Sequence, residues 1–312
     1  MKKVIVSLFL IVVFIISCKS KSIKERPLGK AVEREVDYIP YYLEVHKADS
    51  LYLINDFEKS YKLLDSLFKI YKPLNTDTYV EYGIYVNSAV MSGNIENIEE
   101  KVRYGYSNFG AITPRHRDWI AIDNKVFMAA KLAKVELDKL IKDYQGKLNL
   151  DLRKSLVKMY NDDQNVRNGK NSSTELQEFV DDINKIKLDS IFYKYSYPGN
   201  SLIGTNNAFH EISDYVKIDF FFLHQPNEFK DKYLPIILDN LKKGNCEPDV
   251  YAIIYDRKMI ELGNKQYYGS YTCPDGNVCP LSNVIKIDSI RKSIGLPSIQ
   301  YDNWRLEKFT TN

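Results

Sequence analysis

The stretch that decides how the carboxyl-terminal half folds is PDVYAIIYDRKMIELGNKQYYGSY, residues 248–271. Four apolar residues and one arginine recur at the spacing of a single helix face: Val250, Ile253, Ile254, Arg257 and Ile260. Pro248 suits the first turn of this helix, and Gly263 lies just past its end. Arg257 should therefore lie on a core-facing stripe, where an unpaired charge costs several kcal/mol. We expect Arg257 to be paired with a buried acid or to contact a ligand.

An acidic partner for Arg257 comes from a second helix, which the sequence predicts over residues 205–224. The apolar stripe of this helix contains Asp219, and its last turn, FFFLH, ends at His224. The helix dipole would favour the charged form of that histidine. We predict that Arg257 is a buried structural anchor paired with Asp219, whereas His224 faces a cavity.

Two further segments contribute polar residues. A helix starting near Asn149 continues its buried face into polar residues at its carboxyl end, and residues 264–271 form a short extended segment with alternating faces. The resulting ligand-binding candidates are Gln164, Arg167, His224, Asp256, Arg257, Gln266 and Tyr268. The sequence leaves two interpretations open, because such residues either line a ligand site or fix the fold as a buried network.

Six pieces of the chain, in order, resemble a bacterial family catalogued as domain of unknown function 6624. The pieces are DQNVR at 163–167, YPGNSLIG at 197–204, LHQ at 223–225, AIIYDR at 252–257, GNKQYYGS at 263–270 and IDSIRKSIGLPSIQY at 287–301. The resemblance covers residues 161–301 and implies a domain of secreted and lipid-anchored proteins, with no activity to carry over. The recurrent polar positions of that family fall on Gln164, Arg167, His224, Asp256, Arg257, Gln266, Tyr268, Gly269 and Arg291. Ser270 and Tyr271 depart from the family, which has Thr and Gln there.

The first residues predict a lipoprotein signal peptide over 1–17. Lys2 and Lys3 precede an apolar run that is too short to span a bilayer comfortably, and Ser17 and Cys18 follow it. The ending IISC resembles a bacterial lipobox, with Ile in place of the commoner Leu. We predict a palmitate-bearing anchor on Cys18, a tether over 18–37, and attachment to a membrane of the bacterial cell envelope, facing the periplasm or cell surface. The alternatives are an uncleaved anchor helix and a plain secretory signal.

Residues 38–120 alternate apolar and polar positions at helical spacing, with breaks near residues 55, 73 and 93. The breaks define four helices in two hairpins that repeat every 38 residues, which resembles a tetratricopeptide-like array. That resemblance implies a concave surface for a protein or peptide; a helical bundle without a binding role is the alternative. The whole chain is predicted to be mainly α, with a mainly helical domain over 121–312 that carries a short β-hairpin or extended segment near its end.

Composition and motifs exclude several function classes. The 44 basic and 41 acidic residues give a net charge of +3, which argues against a nucleic-acid partner. No nucleophile elbow, zinc-protease or phosphate-loop motif is present, so no cofactor or metal is indicated. We interpret the protein as a binding or assembly module with a polar ligand site. The alternative is a cell-envelope hydrolase with His224 as general base or acid and Arg167 and Arg257 as clamps on an anionic group.

The cysteines of the mature chain predict one disulfide bond. Cys273 and Cys279 flank the turn-forming run PDGN, and the predicted compartment permits oxidation. We predict that they pair and that Cys246 stays free. A zinc site is the alternative, although it lacks a nearby fourth ligand.

Overall fold

The computed structural model describes residues 36–169, 172–209, 214–273 and 279–310. These residues form fourteen α-helices, so the predicted mainly-α fold is confirmed. The signal peptide, Cys18 and nearly all of the tether lie outside the described residues. Within that part of the chain, no helix is long and apolar enough to cross a membrane.

The first four helices follow the predicted breaks: α1 (Ile39–Leu53), α2 (Phe57–Leu67), α3 (Glu81–Met91) and α4 (Ile98–Phe109). Each packs on the next, as in an array of helical hairpins. Ser60 is fully buried in the contact between α1 and α2, where its hydroxyl donates to the carbonyl oxygen of Ala48 at 2.9 Å. A small side chain at this position lets the two helices approach closely.

The array continues past residue 120. The sequence predicts one helix over 121–144, but the structure has α5 (Trp119–Ala130) and α6 (Lys134–Gln145). Lys131 ends α5 because it adopts a left-handed conformation, with φ of 54°. Helix α5 packs on α3 and α4, and α6 packs on α4, so both helices extend the array from the side of α4.

Eight helices complete the fold: α7 (Leu150–Asn168), α8 (Thr174–Tyr195), α9 (Asn200–Ile203), α10 (Ile218–Leu223), α11 (Asn227–Lys242), α12 (Pro248–Glu261), α13 (Ile287–Lys292) and α14 (Ile299–Thr310). The expected β-hairpin does not form among the described residues, which contain an isolated parallel bridge between Gln266 and Leu281.

The single helix predicted over 205–224 is wrong. Among the described residues of that range, the named helical elements are a 3-10 turn at Asn206–Ala208 and the six-residue α10. Side chains hold residues 214–217, just before α10, in place: the Asn206 amide accepts from the Val216 N–H at 2.9 Å and donates to its carbonyl at 3.0 Å. The Arg153 guanidinium also donates to the Asp214 carbonyl oxygen at 2.7 Å. These bonds satisfy backbone groups that a helix would otherwise pair.

The first and last parts of the described chain share one hydrophobic core. Asp49 of α1 is almost fully buried and accepts from the Arg305 guanidinium of α14 at 2.8 Å and from the Tyr301 hydroxyl. The Tyr42 hydroxyl donates to the Cys246 carbonyl oxygen at 2.9 Å, just before α12. The helical array therefore packs directly against the carboxyl-terminal helices.

Candidate functional site

A cavity of 420 Å³ lies where the helical array meets the carboxyl-terminal helices. Its walls come from the loop before α3, the segment around α9, the irregular segment before α10 and the start of α12. This volume falls within the range of small-molecule sites in proteins.

Four carboxylates from separate parts of the chain line this cavity: Asp77, Asp219, Glu247 and Asp249. The Asp77 carboxylate accepts from the backbone N–H groups of Asn206 at 2.7 Å and Asn207 at 3.3 Å. Glu247 accepts from the Asp77 backbone N–H at 2.8 Å. Hydrogen bonds between distant parts of the chain thus hold two of the acids in place, and we call the four residues the acid cluster.

Asp219 and Asp249 lie in the first turns of α10 and α12, where the helix N-terminus favours a negative charge. Asp219 is buried, whereas more than a third of the Asp249 surface is accessible. Burial is nevertheless the largest of the influences that act on the carboxyl group of Asp249, and it raises the pKa. The two observations agree if the accessible surface of Asp249 faces the cavity rather than the outside of the protein.

Burial and mutual repulsion raise the pKa values of the acid cluster. Burial raises the pKa of Asp219 to about 6, and the charge of Asp249 acts in the same direction. Burial, followed by the charges of Asp249 and Asp77, raises the pKa of Glu247 well above its usual range. Repelling acids inside a cavity are typical of functional sites, because a folded protein gains no stability from them.

Four basic residues line the same cavity: Lys72, Arg153, Lys217 and Lys243. Burial disfavours the Lys217 ammonium, but the charges of Asp219 and other neighbours outweigh it and raise the pKa of Lys217. The Arg153 guanidinium donates to groups of the protein itself, including the carbonyl oxygens of Ile203 and Gly204, both at 3.1 Å. Lys243 is paired with Asp239 at 2.9 Å, so the four carboxylates outnumber the two remaining basic side chains of the lining, Lys72 and Lys217.

The remaining walls of the cavity are rich in aromatic rings: Tyr38, Tyr42, Tyr104, Phe109, Tyr144, Tyr197 and Tyr215. Thr205 also lines the cavity, and its buried hydroxyl has no hydrogen-bond partner among the described residues. An unpaired buried hydroxyl costs about 1–3 kcal/mol, so a ligand that bonds to it would gain affinity.

The candidates predicted from the sequence lie elsewhere, and several are structural. Asp256 is fully buried, and its carboxylate accepts from the backbone N–H groups of Tyr267 at 2.6 Å, Tyr268 at 2.9 Å and Ser270 at 2.9 Å. The Ser270 hydroxyl donates a fourth bond at 2.7 Å. Asp256 therefore fixes the loop that follows α12.

Gln266 and Tyr268 belong to the same loop. The fully buried Gln266 amide donates to the Cys279 carbonyl oxygen at 2.6 Å and accepts from the Tyr271 N–H at 3.0 Å. Arg291 donates to the Tyr268 carbonyl oxygen at 2.8 Å. These contacts favour the interpretation of Gln266 and Tyr268 as parts of a buried network that fixes the fold.

The predicted Arg257–Asp219 pair is wrong. About a quarter of the Arg257 side chain is exposed, and its guanidinium donates to Glu261 at 2.6 Å and to the Tyr271 hydroxyl at 2.7 Å. The buried face of α12 runs through Ala252 and Asp256 instead. The stripe was placed wrongly because Ile253 and Ile260 are only half-buried.

Arg167 and Gln164 bond to acids of their own region. Arg167 donates to Asp163 at 3.1 Å and to Asp181, and the Gln164 amide donates to Asp163 at 2.9 Å. Burial and then the charge of Arg167 lower the pKa of His224 to about 4, although part of the ring remains exposed. His224 therefore stays neutral at pH 7 next to cations that are already paired.

The cysteines are arranged as the turn between them predicts. Cys273 and Cys279 form a disulfide bond with their Cα atoms 5.1 Å apart, and Cys246 is free and buried. The described residues contain no group of three or more side chains placed to hold a metal ion.

Sequence reasoning missed Asp77, Glu247 and Asp249. Asp77 lies 170 positions before Glu247, and the three residues belong to no spacing motif, so only the folded arrangement brings them together. One signal was present: Glu247 and Asp249 flank Pro248 at the start of a helix, where acids are common but rarely face inward.

The comparisons with known proteins add no relative. No protein-family model matches this chain, and no curated protein and no solved structure matches it.

Proposed function

We propose that the protein is a binding module that takes a small organic cation into the cavity lined by the acid cluster. The observation that carries this proposal is the set of four carboxylates on its wall, which places repelling negative groups around one space. A bound ammonium or amidinium group would neutralise that repulsion. Aromatic rings around the same space suit such a cation, because their faces attract positive charge.

The raised pKa values give this proposal a measurable consequence. Part of the acid cluster holds protons near neutral pH, and a cation would displace them. Binding should therefore release protons and should strengthen as the pH rises from 5 to 7, since Asp219 loses its proton in that range.

Isothermal titration calorimetry of the full chain tests the proposal. The probes are a primary alkylamine, a quaternary ammonium compound of similar size and the corresponding carboxylate. We expect the cations to bind, the carboxylate to stay unbound, and the heat to depend on the buffer because protons are released. Binding of the carboxylate alone would overturn the proposal.

A matched pair of variants assigns the binding to the cavity. Asp249→Asn removes one charge from the acid cluster, whereas Asp288→Asn removes an exposed acid at the same position in the first turn of α13. We expect the first to weaken cation binding at least about tenfold, the order of one lost charge-assisted bond, and the second to leave it unchanged. Equal binding by both variants would place the ligand elsewhere.

A hydrolase that uses His224 is the second candidate. It is favoured by the lowered pKa of His224, which keeps the imidazole able to accept a proton at pH 7. It has less support than binding because Arg167 and Arg257 are already paired with carboxylates and are not free to clamp an anion. Loss of ester or amide hydrolysis in His224→Ala, with the parent active, would favour it.

We further propose, from sequence order, attachment to an envelope membrane through Cys18 and membership of the domain of unknown function 6624 family. Support for the second comes from three recurrent polar positions of that family, Asp256, Gln266 and Arg291, which bond to one loop here. A protein or peptide partner on the helical hairpins remains part of the same proposal.

A further inference from the structure

Helix α8 carries two apolar faces. One face is buried in the protein and includes Asn184, Leu188, Ile191 and Phe192. The other is open to solvent, with exposed fractions of 40% for Leu176, 62% for Phe179, 71% for Ile186 and 95% for Tyr193. Exposed apolar side chains aligned along one helix indicate a contact surface.

The exposed residues follow a coiled-coil repeat. With half-buried Ile183 and exposed Ser190, they occupy positions 176, 179, 183, 186, 190 and 193, which alternate steps of three and four. These are the a and d positions of the heptad, the pattern with which two helices pack side by side. The seam extends for about 27 Å at the helical rise of 1.5 Å per residue. We call these six positions the α8 seam.

Charges beside the α8 seam specify the partner. The g positions are acidic, and two of the three e positions are basic: Glu175, Asp182 and Asp189 at g, and Val180, Lys187 and Lys194 at e. In a parallel pair, each g residue faces the e residue of the next heptad on the other helix, so acid meets base at two of the three pairs, Asp182 with Lys187 and Asp189 with Lys194. In an antiparallel pair, g faces g and e faces e, so like charges would meet.

We propose that α8 pairs in parallel with α8 of a second copy of this chain. The decisive contact joins Asp182 of one chain to Lys187 of the other, and symmetry forms it twice. Neither residue has an ion-pair partner among the described residues, whereas Asp189 already contacts Lys232 at 2.7 Å. The proposal does not depend on what binds in the cavity.

Cysteine cross-linking of the full chain tests the orientation. Phe179→Cys and Ile186→Cys, made separately, place a thiol at two successive d positions of the α8 seam. A parallel dimer brings each new cysteine opposite its copy, so both variants should form an interchain disulfide. An antiparallel dimer aligns identical residues only where the helices cross, so at most one of the two would cross-link.

The control for cross-linking is Glu178→Cys, an exposed position that points away from a coiled-coil partner. Mass spectrometry of the linked peptide separates these bonds from any through Cys18 or Cys246. Cross-linking at 179 and 186 but not at 178 supports the proposal. The absence of a cross-link at both 179 and 186 overturns the proposal. That result is expected if another segment or another protein covers the α8 seam.

A charge exchange tests the specific contact. Asp182→Lys and Lys187→Asp each place like charges opposite one another, and each should weaken dimerisation about tenfold, since two symmetric surface pairs change sign. The double variant restores acid facing base and should restore the dimer. Sedimentation equilibrium of the full chain in detergent measures all four proteins. If the double variant is as weak as the single ones, the parallel pairing is wrong.

Discussion

Replacing Asp219 by Asn should make the protein more stable at neutral pH. The pKa of Asp219 is raised from 3.8 to about 6 in the folded protein, so the folded state holds a proton that the unfolded chain has lost. The free energy of unfolding therefore falls as the pH rises through this window. A difference of about two pKa units lowers the free energy of unfolding by about 3 kcal/mol. This loss of stability is complete above pH 6 and absent below pH 4.

The amide of Asn cannot ionise, and its oxygen can still accept the backbone N–H groups at the start of α10 that bond to Asp219. The free energy of unfolding of the variant should therefore not fall over this pH range, as that of the parent does. We expect the stability difference between Asp219→Asn and the parent to grow by about 2 kcal/mol between pH 4.5 and 7. For a chain of this length that corresponds to roughly 3 °C in Tm.

Urea unfolding at pH 4.5, 5.5 and 7, followed by far-ultraviolet circular dichroism, measures this difference. Asp288→Asn serves as the control, because Asp288 is exposed on α13. A variant that is destabilised by the same amount at every pH would refute the reasoning, since the carboxylate would then contribute through its bonds and not through its charge. The same variant should bind organic cations less tightly, which links the stability cost to the proposed site.

Four other changes have expected outcomes. Asp256→Asn should lower the free energy of unfolding by about 3–5 kcal/mol, because the buried carboxylate that accepts four bonds is lost. Arg257→Ala should lower it by under about 1 kcal/mol. Urea denaturation compares the two variants. Reducing the Cys273–Cys279 bond should cost about 2 kcal/mol, as expected for a short loop, and Tm with and without reductant measures it. Cys18→Ala should release the protein from membranes or block its maturation, and normal processing with unchanged membrane retention on fractionation would contradict the predicted anchor.

Helix positions could be predicted where the pattern is local. Apolar spacing, Pro248 in the first turn and Gly263 with its positive φ place α12 correctly, and the Asn149 side chain caps α7 as its position predicts. The sequence predicts Arg257 on the buried face of α12, whereas its neighbour Asp256 is the polar residue that faces inward. Spacing alone could not distinguish them, because the true buried face is set by what α12 packs against.

The cavity could not be predicted because its residues meet only through distant contacts. Arg153 and Asn206 hold the irregular segment before α10, where spacing favours a helix. Asp77 reaches the site through bonds to residues almost 130 positions later in the chain. Such contacts leave no periodic trace in the sequence.

The contact between Asp49 and α14 also determines when this chain can finish folding. Asp49 is 1% exposed, and its partners Tyr301 and Arg305 lie 252 and 256 positions later in the chain. Until those two residues are synthesised, α1 would bury an unpaired carboxylate, which costs several kcal/mol. The helical array therefore cannot reach its final packing before α14 is made, and a version of the chain truncated before α14 should be markedly less stable.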